Sequence, residues 1–269
     1  MYTVAVVGAE STVLTERLVS RLARSGRVAT VSSLPTDPDP GFEAGDDLRA
    51  AGAGTVVGLG PEGTTTRSGA RTLGETLDDL APSATYCVVD GVEGTGLPTV
   101  VAGEGDADDP LARVERAADA DLDALVAAIE GTEPHETLGS LVARVKRSPH
   151  ADRSGAIATF TGRVRAKDGD DDPRTELLEF ETYEEVAEGR MEAISRELEE
   201  REGVFEVRMH HRTGVIPDGE DIVFVVVLAG HRGEAFRTVE DGIDRLKAEV
   251  PIFKREVTVD EEFWVHERQ

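Results

Sequence analysis

Hydrophobic positions along the chain keep two rhythms, and where one gives way to the other marks out the elements. Val4 to Val7 is a short apolar run closed by Gly8; beyond it Val13, Leu14, Leu18 and Leu22 recur at helical spacing, with Arg17 and Arg21 between them. The chain therefore opens as strand, turn, helix. Val28 to Val31 reads as a second strand, and Thr55 to Gly58 and Tyr86 to Val89 as two more, with a helical pattern from Leu73 to Leu80 between them. Strands alternating with helices imply a parallel sheet with helices on both faces. Pro110 to Ile129 is Ala-rich and reads as helix, after which Gly131-Thr132-Glu133-Pro134 supplies breaker and cap chemistry. A domain boundary is placed there, giving domains 1–131 and 132–269.

The second domain has a different order. A helix through Leu138, Leu141, Val142 and Val145 precedes a strand over Ala156 to Arg165, a turn at Asp168-Gly169-Asp170 within the acidic run to Asp172, and a strand over Leu177 to Tyr183. Ala187, Met191, Ile194 and Leu198 then share one face of a helix over Glu184 to Arg201. Strands over Phe205 to His211 and Ile222 to Leu228 flank the turn residues Pro217-Asp218-Gly219. A last helix, Glu234 to Val250, lines up Phe236, Val239, Ile243, Leu246 and Val250; Pro251 ends it, and Ile252 to Val259 closes the fold as a strand. This half is α+β.

The longest apolar run, Ile222 to Ala229, is far short of the roughly 20 residues that span a bilayer. No membrane association is expected, and the N-terminus has neither the basic nor the apolar region of a secretory signal, so a cytoplasmic protein is expected. A formal charge of -25 sets the chain against nucleic acid, whose phosphates are bound by neutralising them. The acid excess runs through both halves, and only 4 of the 29 basic residues are Lys. This composition resembles that of proteins from salt-loving archaea, where dissolved ions screen the self-repulsion, and it predicts a need for high salt. Cys87, the one cysteine, lies in an apolar stretch and reads as a small buried hydrophobe; no disulfide, metal site or cofactor is expected.

A chain that has largely dispensed with Lys makes the remaining four informative. Lys247 and Lys254 fall within eight residues. A helix-end cation accounts for Lys247 alone, and an exposed strand position for Lys254 alone. As a pair they read as functional, because Lys does what Arg does not: it presents a compact ammonium that can give up its proton. Gly230-His231-Arg232-Gly233 joins a strand to a helix, where free N–H groups, a guanidinium and a titratable ring suit an anion, a capping role being the alternative. An anionic substrate of so acidic a protein needs a local basic pocket, and His231, Arg232, Lys247, Lys254 and Arg255 lie within 25 residues. Arg163 and Arg165, two apart on one strand, share a face; taken by themselves they balance the Glu-rich neighbouring strand. His211-Arg212-Thr213-Gly214 and Trp264 read as structural.

These residues order themselves into a resemblance. Residues from about 133 to 269 are similar to the large, catalytic subunit of molybdopterin synthase. The likeness runs through Phe160-Thr161-Gly162-Arg163-Val164-Arg165, Leu178-Glu179-Phe180-Glu181-Thr182-Tyr183 and His211-Arg212-Thr213-Gly214. It continues in His231-Arg232-Gly233-Glu234-Ala235-Phe236, Ile243-Asp244-Arg245-Leu246-Lys247, Val250-Pro251-Ile252-Phe253-Lys254-Arg255-Glu256 and Trp264-Val265. The resemblance implies an α/β hammerhead-type fold and a homodimer carrying two small sulfur-carrier subunits, whose C-terminal Gly-Gly thiocarboxylates enter the active sites. It implies cyclic pyranopterin monophosphate as substrate and the dithiolene of molybdopterin as product. By the same likeness Lys247 and Lys254 are catalytic. Arg163, Val164 and Arg165 line the substrate pocket, His231 and Arg232 hold the anionic pterin, and Arg255 and Glu256, flanking Lys254, are substrate-binding with them. Phe253 stands where Trp is usual and Arg255 where Lys is common.

The first domain resembles, more faintly, the P-loop protein of molybdopterin guanine dinucleotide biosynthesis, in Val6-Val7-Gly8, Ala50-Ala51-Gly52-Ala53 and Cys87-Val88-Val89-Asp90-Gly91-Val92-Glu93-Gly94. Its phosphate loop is broken, with Val13 and Leu14 standing before Thr15 where Gly and Lys belong. No nucleotide hydrolysis is expected. Two readings compete with a sulfurtransferase: a non-catalytic adaptor for molybdenum-cofactor assembly, and a nucleotide-dependent enzyme in the first domain, which Val13 and Leu14 disfavour.

Overall fold

The computed structural model describes residues 1–33, 51–53, 55–59, 65–68, 71–167, 169, 173–258 and 262–265. The chain divides into two compact units, Met1–His135 and Glu136–Gln269.

In the first unit, β1 (Tyr2–Val7), α1 (Ser11–Leu22) and β2 (Val28–Ser32) are followed by β3 (Val56–Leu59), β4 (Thr65–Ser68), α2 (Leu73–Leu80) and β5 (Tyr86–Asp90). Then come β6 (Thr99–Ala102), β7 (Ala112–Val114), a 3-10 turn at Ala117–Asp119 and α3 (Leu122–Glu130). Five strands form one parallel sheet in the order β2-β5-β1-β6-β7. Their side chains alternate between two cores. Val4, Val6, Val88 and Val100 pack with Leu14, Leu18 and Leu22 of α1 and with Val126 and Ile129 of α3; Ala5, Cys87 and Val89 pack with Leu77 of α2. Each fully buried Leu or Val removes enough apolar surface from water to contribute about 1.5–3 kcal/mol. Burial pushes the Cys87 thiol up to about 11, which keeps it protonated and inert.

Two expectations fail here. Thr55 to Gly58 does not join the parallel sheet: β3 pairs antiparallel with β4 in a separate hairpin. Pro110 to Ile129 is not one helix, because Ala112 to Val114 extends and pairs with β6 at the sheet edge, and helix begins only where Asp121 caps the N–H groups of Asp123 and Ala124. Local Ala propensity loses to a vacant sheet edge at the first place and wins at the second.

The second unit has α4 (Leu138–Val145), a 3-10 turn at Ala151–Arg153, β8 (Ala156–Arg163), β9 (Thr175–Thr182), α5 (Glu184–Glu199), β10 (Val204–His211) and β11 (Gly214–Pro217). It ends with β12 (Asp221–Ala229), α6 (Arg232–Glu249), β13 (Ile252–Thr258) and β14 (Glu262–Val265). An antiparallel sheet, β10-β12-β8, has the near-continuous apolar strand Ile222 to Ala229 at its centre. One of its faces packs Val223, Val225 and Val227 against Ile194 and Leu198 of α5 and Val239, Ile243 and Leu246 of α6. The other packs Phe224, Val226 and Leu228 against Leu141 and Val145 of α4. A second sheet, β11-β9-β13-β14, uses strands absent from the sequence reading, β11 and β14. The expected turn at Asp168 to Asp170 and the acidic run to Asp172 lie mostly outside the described residues.

Helices α5 and α6 are clamped by charge. Arg190 and Glu197 from α5 meet Glu249 and Arg245 of α6, with Arg245 Nε 2.7 Å from Glu249 Oε1 and its Nη2 2.6 Å from Glu197 Oε2. Hydrogen bonding from Arg245, aided by Arg190, holds the Glu249 carboxyl down at about 2. No helix among the described residues is long and apolar enough to cross a membrane.

Candidate active site

Strand β13 is set by its partner β9, in a register that pairs Ile252 with Thr182, Lys254 with Phe180 and Glu256 with Leu178. Paired residues of an antiparallel ladder share a face, so Lys254 and Glu256 stand on the side of Phe180 and Leu178. That side is covered by Val164 and Ile216, with Ile222 and Ile252 packed against them. Lys254 is about two-thirds buried, its Nζ 3.9 Å from Oε2 of Glu256. The other oxygen, Oε1, accepts a hydrogen bond from the hydroxyl of the buried Thr175.

Arg255 flanks Lys254 in sequence but alternates to the opposite face, where Nε and Nη2 both donate to Oε2 of Glu179, its partner across the ladder. It serves the sheet surface rather than the side where Lys254 lies.

Lys247 is exposed in the last turn of α6, its ammonium making no hydrogen bond or ion pair among the described residues. The helix starts two residues earlier than the sequence suggested. His231 is its N-cap residue without a side-chain capping bond, and Arg232 and Gly233 belong to the first turn instead of to a loop. Both His231 and Arg232 are exposed. Fifteen residues of helix separate Arg232 from Lys247, about 22 Å at 1.5 Å per residue. The expected anion-holding pair and the expected catalytic lysine thus occupy opposite ends of a rigid rod.

The strand expected through Arg165 stops at Arg163. The Arg163 guanidinium donates to the carbonyl of Gly219 and lies 3.3 Å from Asp221 Oδ1. Val164 is buried, and its backbone exchanges two 2.9 Å bonds with Gly219 and Glu220. Exposed Arg163, buried Val164 and exposed Arg165 keep the alternation of a strand past its end, so both arginines remain on the outer side. Gly162 is needed beneath them, because a Cβ there would come 2.5 Å from Cγ1 of Val223.

Two residues of this site escaped the sequence. Thr175 carried no signal, its partner Glu256 lying 81 positions away. His211, read as structural, has its ring edge-on to Phe180 at 4.9 Å, directly behind the residue that faces Lys254. Its Nδ1 lies 2.7 Å from the carbonyl of Arg212, so Nδ1 carries the proton that it donates. Desolvation lowers its pKa and keeps the ring neutral. Nothing is described of the Trp264 side chain; its backbone lies in β14. Among the described residues no group of His, Cys, Asp and Glu could hold a metal ion.

In the first unit the loop after β1 is closed by the segment that follows β6. The N–H groups of Ala9 and Glu10, placed where a phosphate cradle would offer them, donate instead to the carbonyls of Glu104 and Ala102. The Glu10 carboxylate turns back to accept from the N–H of Ala117. Gly8, at φ 102°, makes the approach possible: a Cβ there would lie 2.5 Å from the Ala102 carbonyl oxygen. Leu14, at the position of a phosphate-reaching lysine, is wholly buried in the core. Thr12 Oγ1 donates to Oδ2 of Asp90 at 3.0 Å, across the ends of α1 and β5.

Residues 133–249 match the family described as MoaE protein. Over 272 aligned positions that cover both chains completely, the sequence is 54% identical to a probable molybdopterin synthase of Haloferax volcanii. It is 39% identical over 112 residues to the molybdopterin synthase catalytic subunit of Pyrococcus abyssi, covering 42% of this chain and 74% of that relative. Among solved structures, the molybdopterin synthase of Staphylococcus aureus aligns at 33% identity and a TM-score of 0.41, covering 43% of this chain and 83% of that one. The 54% identity over the full length of both chains, together with the MoaE match over residues 133–249, places the chain in the molybdopterin synthase family.

Proposed function

We propose that the second unit, an α/β hammerhead-type domain, transfers sulfur from the C-terminal thiocarboxylate of a small carrier subunit to cyclic pyranopterin monophosphate, forming the dithiolene of molybdopterin. One observation carries the residue assignment. Two of only four lysines stand at the junction of α6 and β13, and one of them, Lys254, is two-thirds buried against a carboxylate on a face that is otherwise apolar. An amine so placed can hold the anionic thiocarboxylate and exchange protons as carbon–sulfur bonds form, a role worth about 100- to 10,000-fold in rate. Val164 would cover this face, while Arg163 and Arg165 would present cationic groups from its outer side. His231 and Arg232 would hold the anionic pterin, and Glu256 would hold Lys254.

The length of α6 supports an arrangement in which two copies of the chain complete each site. About 22 Å of helix keeps Arg232 and Lys247 of one chain from touching one small substrate. The anion-holding end of one copy would then meet the lysine end of the other. A homodimer with a carrier subunit at each site satisfies this geometry.

The test is conversion of cyclic pyranopterin monophosphate by the purified chain with a thiocarboxylated carrier in molar salt. Wild type should form dithiolene, Lys247→Ala and Lys254→Ala should not, and a mixture of Lys247→Ala with Arg232→Ala should regain part of the activity. Carrier binding without product from well-folded wild type would leave the adaptor reading standing. For the first unit, whose sealed loop and buried Leu14 favour a scaffold, calorimetry in high salt should find no stoichiometric GTP or ATP binding; a one-to-one isotherm overturns that assignment.

A further inference from the structure

Strand β9 carries a register shift where it meets the end of β13. Leu178 faces Glu256 and Leu177 faces Val257, but the next pair is Thr175 with Thr258, so Glu176 is an extra residue. In a regular ladder Glu176 would lie on the face of Glu256 and Thr175 on the opposite one. The bulge reverses this. Thr175 turns inward and is buried while Glu176 is exposed, its carbonyl accepting from the N–H of Asp218 at 3.0 Å. Bulges beside functional sites commonly re-aim one side chain in this way.

Given the role proposed above for Lys254, we infer that Thr175 is a positioning residue for this reaction, fixing the Glu256 carboxylate so that one oxygen is left for the Lys254 ammonium. The chain of contacts is short. The Thr175 hydroxyl donates to Oε1 of Glu256, Oε2 lies 3.9 Å from Lys254 Nζ, and the backbone N–H of Thr175 is anchored on the Ala166 carbonyl at 2.8 Å. Phe180 and Leu178 of β9 contribute only apolar surface to this side, and His211 behind Phe180 is held neutral, so Glu256 is the one anion set against Lys254 among the described contacts. Hydroxyl donors to a carboxylate are short and strong and cost most when their loss leaves a half-buried acceptor oxygen bare. Without Thr175 both oxygens of Glu256 are free to turn onto the ammonium, which is then engaged by the carboxylate and less available to a reacting group.

Thr175→Val keeps the buried volume and β-branching and removes only the hydroxyl; Thr175→Ser restores it. With full-length chain in molar salt, kcat for dithiolene formation should fall about tenfold in Thr175→Val with KM unchanged, and return in Thr175→Ser. A second readout needs neither carrier nor substrate. Trace acylation with acetic anhydride, read by peptide mass spectrometry, compares the four lysines within one sample. Lys254 should acylate several-fold more slowly relative to Lys146 in Thr175→Val, and normally in Thr175→Ser. Wild-type kcat and Lys254 labelling in Thr175→Val would overturn the inference, as would equal impairment in both variants, which marks a role in packing alone. Product formation by Lys254→Ala would instead sink the reading of Lys254 as catalytic, while the acylation ratio still decides whether Thr175 governs that amine.

Discussion

At the scale of single residues, the catalytic role proposed for Lys247 and Lys254 rests on how little lysine the rest of the chain uses. Replacing Lys254 by Arg keeps the charge but puts a guanidinium, which stays protonated at any working pH, in place of an amine that can give up its proton. The expected outcome is a loss of about 100-fold or more in kcat with carrier affinity largely kept, measured by product formation beside a binding isotherm. His211 offers a pH test of another kind. Its ring is buried neutral with a lowered pKa, so the unfolded chain takes up a proton near the ordinary histidine value of about 6.5 and the folded chain does not. Stability attributable to this residue is therefore present at neutral pH and drains away as pH falls below that value. Denaturant unfolding of His211→Asn should show a flatter slope between about pH 7 and pH 5 than wild type. The lysines were legible in the sequence because scarcity is a property of composition. Thr175 was not, since what distinguishes it is a one-residue register shift against a strand more than 80 positions away.

Elements repeat the contrast. Strands with a continuous apolar run, such as Tyr86 to Val89 and Ile222 to Ala229, were plain from the sequence because burial on both faces leaves no polar alternation. Short edge strands were not: Ala112–Val114, Gly214–Pro217 and Glu262–Val265 owe their conformation to a neighbour's unpaired backbone, and their own residues say little. Close approach between elements makes a sharper prediction. A Cβ on Gly155 would sit 2.6 Å from the carbonyl oxygen of Gly230, which belongs to backbone and has no rotamer to yield. Gly155→Ala should destabilise the second unit by about 1–3 kcal/mol in denaturant titration. It should also displace the connection between β12 and α6, and with it His231. At α4, where Thr137 and Ser140 form a reciprocal capping box, Thr137→Ala should cost about 1 kcal/mol by the same measurement.

For the whole molecule the governing quantity is a charge of -25 held in two compact units. Screening shortens the reach of each charge from about 10 Å at 0.1 M salt to about 3 Å at 1 M. Melting temperature should therefore climb on the order of 10 °C between these conditions by calorimetry, and a flat response would remove the case for salt dependence. The Arg245–Glu249–Arg190 clamp sets a separate dependence at low pH. With Glu249 held down at about 2, its contribution is intact above the usual carboxylate range and lost only as pH falls toward that value. Helix α6 joins these scales, for it begins at the expected anion-holding residues and carries Lys247 in its last turn. It works as a ruler. Removing one four-residue turn between Phe236 and Ile243 would shorten it by about 6 Å and rotate its ends by about 40°. In the two-copy arrangement proposed above, the ends would then be graduated for a different assembly, the spacing of its paired sites being set by the length of one helix in each copy.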